Sequence, residues 1–203
     1  MIPKKIFYLF LLLPAGCATT EHAGYTSTEN YAYQLCQKTD EGREIIENVK
    51  PDIRYKSIFD NIQFDYERFN HELAALYLTR LNRSEIKSVI AYFSMPKVLE
   101  YYKLQMKSES TITWHLNEEE RAQYRTLYNA DVKKYIALRM DSKFNDQEWD
   151  IFKTYLKNSV TNLYKTSEYW KNVVDSECLD LKVTNYYQDY GDIFCQDSHT
   201  EPQ

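Results

Sequence analysis

The chain of 203 residues carries 25 Lys and Arg against 30 Asp and Glu, a net charge of −5, with only 4 glycines and 5 prolines. No glycine occurs from Arg43 to Tyr190, and the prolines in that interval are Pro51 and Pro96. This excludes hairpin-rich β folds and phosphate-cradling loops, which rely on glycine where a Cβ is not tolerated. The acidic balance argues against a nucleic-acid partner, which needs a basic face, and 43% hydrophobic with 15% aromatic residues argues against a disordered chain.

The first element is a leader. Lys4 and Lys5 precede an apolar run, Ile6-Phe7-Tyr8-Leu9-Phe10-Leu11-Leu12-Leu13, and Pro14-Ala15-Gly16-Cys17 follows. A membrane span needs about 20 apolar residues, so the run reads as the core of a signal peptide. Ala15, Gly16 and Cys17 resemble the last three positions of a bacterial lipoprotein signal, with Pro14 where that pattern usually has Leu. The resemblance implies removal of residues 1–16 and acylation of Cys17, palmitate being one of the acyl chains. With Ala18 next, it also implies an anchor in the outer membrane facing the periplasm. The plainer alternative is a secretory signal with an incidental Cys at the cut. Residues 17–30 are small and polar and read as a tether.

A single all-α domain is expected over residues 31–197, an antiparallel multi-helix bundle of about five to seven helices. A short helix holds Cys36, and another runs from Glu41 to a break at Pro51. Phe59, Ile62, Tyr66, Phe69, Leu73 and Leu76 recur at spacings of three and four, which predicts one long helix. Three helix starts then share a pattern. Leu81-Asn82-Arg83-Ser84-Glu85, Leu116-Asn117-Glu118-Glu119-Glu120 and Phe144-Asn145-Asp146-Gln147-Glu148 each place Asn three residues before Glu. This is a capping box with Asn in place of Ser or Thr. Leu81 with Ile86 and Phe144 with Trp149 add hydrophobic staples. The match between the first and third copies reads as convergence on capping chemistry rather than duplication. Pro96 ends the first of these helices, the one from Arg83, around Ser94 to Met95 and opens a new helix. The helix from Glu118 is expected to continue through Ile136, and the helix from Asp146 to Val174. The end at residues 198–203 should fray.

Leu81, Asn82, Glu85, Ile86, Val89, Ile90, Phe93 and Pro96 also resemble a domain of unknown function found in exported helical bacterial proteins. That resemblance covers a few dozen residues and implies a helical, periplasmic or lipid-anchored protein with no assigned catalytic residue.

Cys36, Cys178 and Cys195 remain beyond Cys17. In an oxidising compartment an odd set points to one disulfide and one thiol. The pairing is Cys178 with Cys195, or Cys36 with either. No catalytic constellation is expected and no cofactor is called for. His71-Glu72-Leu73-Ala74-Ala75 begins like a zinc-protease helix, but Ala75 stands where the second His is needed. Glu118, Glu119 and Glu120 suit the dipole of a first helical turn better than acid–base chemistry. Tyrosine, at 19 residues, is the compositional outlier. Most should pack between helices, whereas Tyr186, Tyr187 and Tyr190, in a stretch read as irregular, are the candidate contacts for a protein partner. The leading expectation is a non-enzymatic envelope lipoprotein that binds or scaffolds a protein. The alternatives are a periplasmic immunity-type protein that blocks a toxin, and an envelope hydrolase using His71 or His115 with carboxylates.

Overall fold

The computed structural model describes residues 27–105, 116–184 and 186–195. The leader 1–16, Cys17, residues 106–115 with His115, and the end at 198–203 lie outside the described residues. Among the described residues the chain is an all-α bundle without a strand. No helix there is long and apolar enough to cross a membrane.

Helix α1 (Ser27–Thr39) begins ahead of the expected start at Tyr31 and buries Ala32, Leu35, Cys36 and Thr39, one helical face. Helix α2 (Glu41–Val49) follows after a single residue, Asp40, whose φ of 55° is left-handed. Asp tolerates that region better than most residues, and its N–H closes the end of α1 on the Cys36 carbonyl at 2.9 Å. Pro51 then ends α2 in a short 3-10 turn, Lys50–Asp52, as its missing donor dictates.

The long helix expected through Phe59 and Leu76 is two helices, α3 (Ser57–Asn61) and α4 (Tyr66–Leu78). Ile62 is extended between them, and Asp65 starts α4 by accepting from the Arg68 N–H at 3.1 Å. The three–four spacing survives because both pieces turn apolar side chains to the same core. Helix α5 (Arg83–Tyr92) and helix α7 (Glu118–Leu127) start on complete capping boxes. Asn82 accepts from the Glu85 N–H at 3.1 Å while Glu85 accepts from the Asn82 N–H at 2.7 Å. Asn117 and Glu120 do the same at 2.9 and 2.8 Å. Pro96 is the first residue of α6 (Pro96–Gln105), where its fixed φ suits a helix start.

Four further expectations are corrected. The helix from Glu118 stops at Leu127, and Asn129 caps a new one, α8 (Ala130–Arg139), by accepting from Val132 N–H at 3.1 Å. The third capping box does not form. Asp141 caps α9 (Ser142–Tyr164) through the Phe144 N–H at 2.9 Å, so Asn145 lies inside the first turn and Glu148 faces the core. With that box goes the apparent repeat. The run to Val174 is likewise divided. Ser167, extended at φ −165°, caps α10 (Glu168–Lys182). The stretch read as irregular ends in helix α11 (Tyr187–Phe194).

Helix α9 is the axis of the bundle, contacted by α4, α8, α10 and α11, while α1 lies on α4 and α5. Gly42 lets α2 approach α4: a Cβ there would stand 2.9 Å from the Phe69 ring. Phe69 is buried with Phe64, Phe152 and Tyr155 around it in edge-on contacts.

Candidate functional site

Among the described residues, three places are candidate sites. The first is a polar cluster in the core, where α2, α4, α6, α8 and α9 converge. On α8, Val132, Tyr135 and Arg139 share the buried face, so the guanidinium points inward. On α9, Phe144, Glu148 and Phe152 do the same. On α2, Glu41 is the first residue and 1% exposed. Arg139 bridges both acids, with Nη2 2.9 Å from Glu41 Oε2 and Nη1 2.6 Å from Glu148 Oε2. Three phenols close the cluster. Tyr102 donates to Glu41 Oε1 at 3.2 Å and Tyr135 to the same oxygen at 3.5 Å. Tyr77 accepts from Arg139 Nη1 at 3.3 Å.

The two acids are served unequally. Glu41 has protein donors on both oxygens, whereas Glu148 Oε1 is buried and has no hydrogen-bond partner among the described residues. Burial pushes the Glu148 carboxyl up to about 7; Arg139 opposes the rise and Glu41 adds to it. Cys36, wholly buried on α1, has its thiol pushed well up by burial and then by Glu41 and Glu148. It is thus an inert packing thiol, since a nucleophilic Cys needs a lowered pKa.

The second place is a cleft of about 190 Å³ between α2 and the α3–α4 segment. Both of its cations are paired: Lys50 Nζ is 2.7 Å from Asp60, and Arg43 is 3.2 Å from Asp40 and lies over the Tyr66 ring. Phe59, Ile62 and Phe64 form the apolar part.

The third is the C-terminal face. Cys178 on α10 and Cys195 just after α11 form a disulfide, the first of the alternative pairings, and Cys36 is unpaired. Beside it, Leu179 on α10 and Val183 and Tyr186, which lie between the end of α10 and the start of α11, are 64%, 84% and 42% exposed. The neighbouring Asp189 and Asp192 are exposed on α11. Of the three candidate contact tyrosines, Tyr186 is on this face. Tyr187 is the first residue of α11, its side chain outside the described set. Tyr190 is corrected to a packing residue: it is 8% exposed, lies edge-on to Trp149, and donates to Asp52 at 3.0 Å. The reason is that α11 is a regular helix whose inner face must be covered.

The residues once considered for chemistry are held elsewhere. His71 is stacked on Tyr33, ring centroids 4.1 Å apart. Glu120 is a cap that also binds Lys97 at 2.8 Å. Sequence reasoning missed the Glu41–Arg139–Glu148 cluster, though a signal existed: Arg139 and Glu148 fall on apolar stripes at spacings of three and four. Compared with known proteins, this chain matches no family, no curated protein and no solved structure.

Proposed function

We propose that the chain is a cell-envelope lipoprotein, anchored through Cys17, that works as a non-enzymatic binding module and meets a protein partner with its α10–α11 face. The observation that carries this reading is the exposure of Leu179 on α10 and of Val183 and Tyr186 at the junction with α11, on a helix pair clamped by the Cys178–Cys195 disulfide. Apolar side chains grouped on a rigid element are the usual core of a protein interface. Asp189 and Asp192 at the rim favour a partner with basic residues around an apolar strip. A disulfide persists in the oxidising compartments that a leader such as Lys4 to Cys17 serves.

Two measurements test the two halves of the reading. A Cys17→Ser chain should lose its acyl mass and leave the membrane fraction; unchanged partitioning would remove the anchor from the proposal. A photo-crosslinker at position 183, carried by the full chain in its host, should join one envelope protein. Crosslinking should be lost with Leu179→Glu, and the same probe at the exposed position 157 should give none. Equal products at both positions would show that the face is not a specific interface.

A further inference from the structure

We infer that Glu148 is a buried proton-binding site, and that the proton it takes up in mildly acidic solution fastens helix α2 to α8 and α9. The arrangement that carries this is two carboxylates on one guanidinium in a closed core. With both acids ionised, the cluster holds two negative charges against the one of Arg139, at side-chain exposures of 1%, 7% and 11%. Like charges sharing a buried site cannot both be accommodated cheaply, so one proton belongs on the pair.

The hydrogen bonds decide which acid takes it. Glu41 receives Arg139, Tyr102 and Tyr135, donors that favour the charged form. Glu148 receives Arg139 alone, on Oε2, and its Oε1 lacks a partner among the described residues. The groups that face Glu148 from the packed elements are Glu41 of α2, Arg139 of α8, Tyr77 of α4 and Cys36 of α1, while Tyr102 of α6 and Tyr135 of α8 face Glu41. The three phenols and the thiol are all raised by burial, so none ionises near neutrality and Glu148 is the group that responds there. The burial of Glu148 itself holds its proton up to about 7.

When that proton leaves, the new charge stands across Arg139 from Glu41, the first residue of α2. Glu41 is preceded by Asp40, whose left-handed backbone forms the corner between α1 and α2. The repulsion therefore acts on α2 at its junction. Arg43 and Glu47 of α2, with Lys50 just after it, form one wall of the cleft, so loosening of this helix would alter the cleft as well.

The sign follows from linkage. The folded chain holds a proton that the unfolded chain releases at the ordinary carboxyl value of 4.5, whereas the folded value is about 7. The stabilisation is therefore complete below about pH 4.5, declines roughly tenfold in the folding equilibrium per pH unit, and is gone above about pH 7. The test is a carboxyl carbon NMR titration of the full chain together with thermal melts from about pH 5 to pH 9. One Glu resonance should titrate near neutrality, vanish in Glu148→Gln and persist in Glu177→Gln, a buried acid outside the cluster. Glu148→Gln, a permanent neutral form, should lose the acid-side gain in melting temperature that the exposed control Glu119→Gln retains. Amides of α2 should exchange faster above pH 7 than intrinsic base catalysis accounts for. The wild-type titration needs no variant to fold. If every Glu resonance has finished titrating by about pH 5.5, or if Glu148→Gln keeps the full wild-type pH slope, the inference is overturned.

Discussion

At the scale of single residues, the decisive side chains are those whose neighbours forbid the usual substitutions. Arg139 is the one cation between Glu41 and Glu148. Replacing it with Met leaves two buried acids facing each other, a change that typically costs about 3–5 kcal/mol. Urea unfolding at pH 8 should show that loss, and at pH 5 a smaller one, because Glu148 is then protonated. Adding Glu41→Gln and Glu148→Gln to the Met variant should recover most of it. Gly42 is a second case. Alanine there gains about 1 kcal/mol in helix propensity, but its Cβ would stand 2.9 Å from Phe69, whose ring is boxed in by other aromatics. Overpacking of this kind costs about 1–3 kcal/mol. Gly42→Ala should therefore lower the thermal midpoint, and a Phe69→Leu background should weaken or reverse the effect.

At the scale of elements, the chain shows which signals are legible and why others are not. The boxes at Asn82 and Asn117 are closed by atoms three residues apart, so their whole physics is contained in the local sequence. The stretch from Asn145 to Glu148 has the same letters and a different fate. Asp141 captured the first turn earlier, and Arg139, on the preceding helix, gave Glu148 a buried partner that also binds Glu41, 98 residues from Arg139. Asn82→Ala and Asn117→Ala should each cost about 1 kcal/mol, as should Asp141→Ala. Asn145→Ala should stay within about 0.5 kcal/mol. Chemical denaturation of the four variants checks the assignment, and a large loss at Asn145 would contradict it. The divided helices follow the same logic. Apolar spacing continued across Ile62, Asn129 and Ser167, but a periodicity reports which side faces the core and not whether the axis is continuous. Asn129 and Ser167 were available as caps in each case.

At the scale of the whole molecule, the all-α bundle was legible from the missing glycines and the apolar spacing, whereas the way its ends are joined was not. The Cys178–Cys195 bridge encloses a separation of 17 residues, and a loop of that size limits the unfolded chain by about 3 kcal/mol. A Cys178→Ser, Cys195→Ser chain should lose about that much, with unfolding compared in the presence and absence of reductant. The wild type should converge on the variant only when reduced. The same helix pair reaches back to the first third of the chain. Glu177, 1% exposed, accepts from the Tyr55 N–H at 2.8 Å and the Arg54 N–H at 3.4 Å, Arg54 binds Asp180 at 2.6 Å, and Tyr190 binds Asp52.

The acceptor for the Tyr55 amide is thus 122 residues downstream. A chain that emerges N-terminus first must carry the 52–55 segment unsatisfied, or satisfied by water, until nearly all of it has been delivered. Such distant closures slow folding because a large loop must be ordered before any contact compensates for it. The last helices consequently act as the closing step of assembly, and a chain cut short before Glu177 would present an open seam along the very segment that a holding chaperone can recognise.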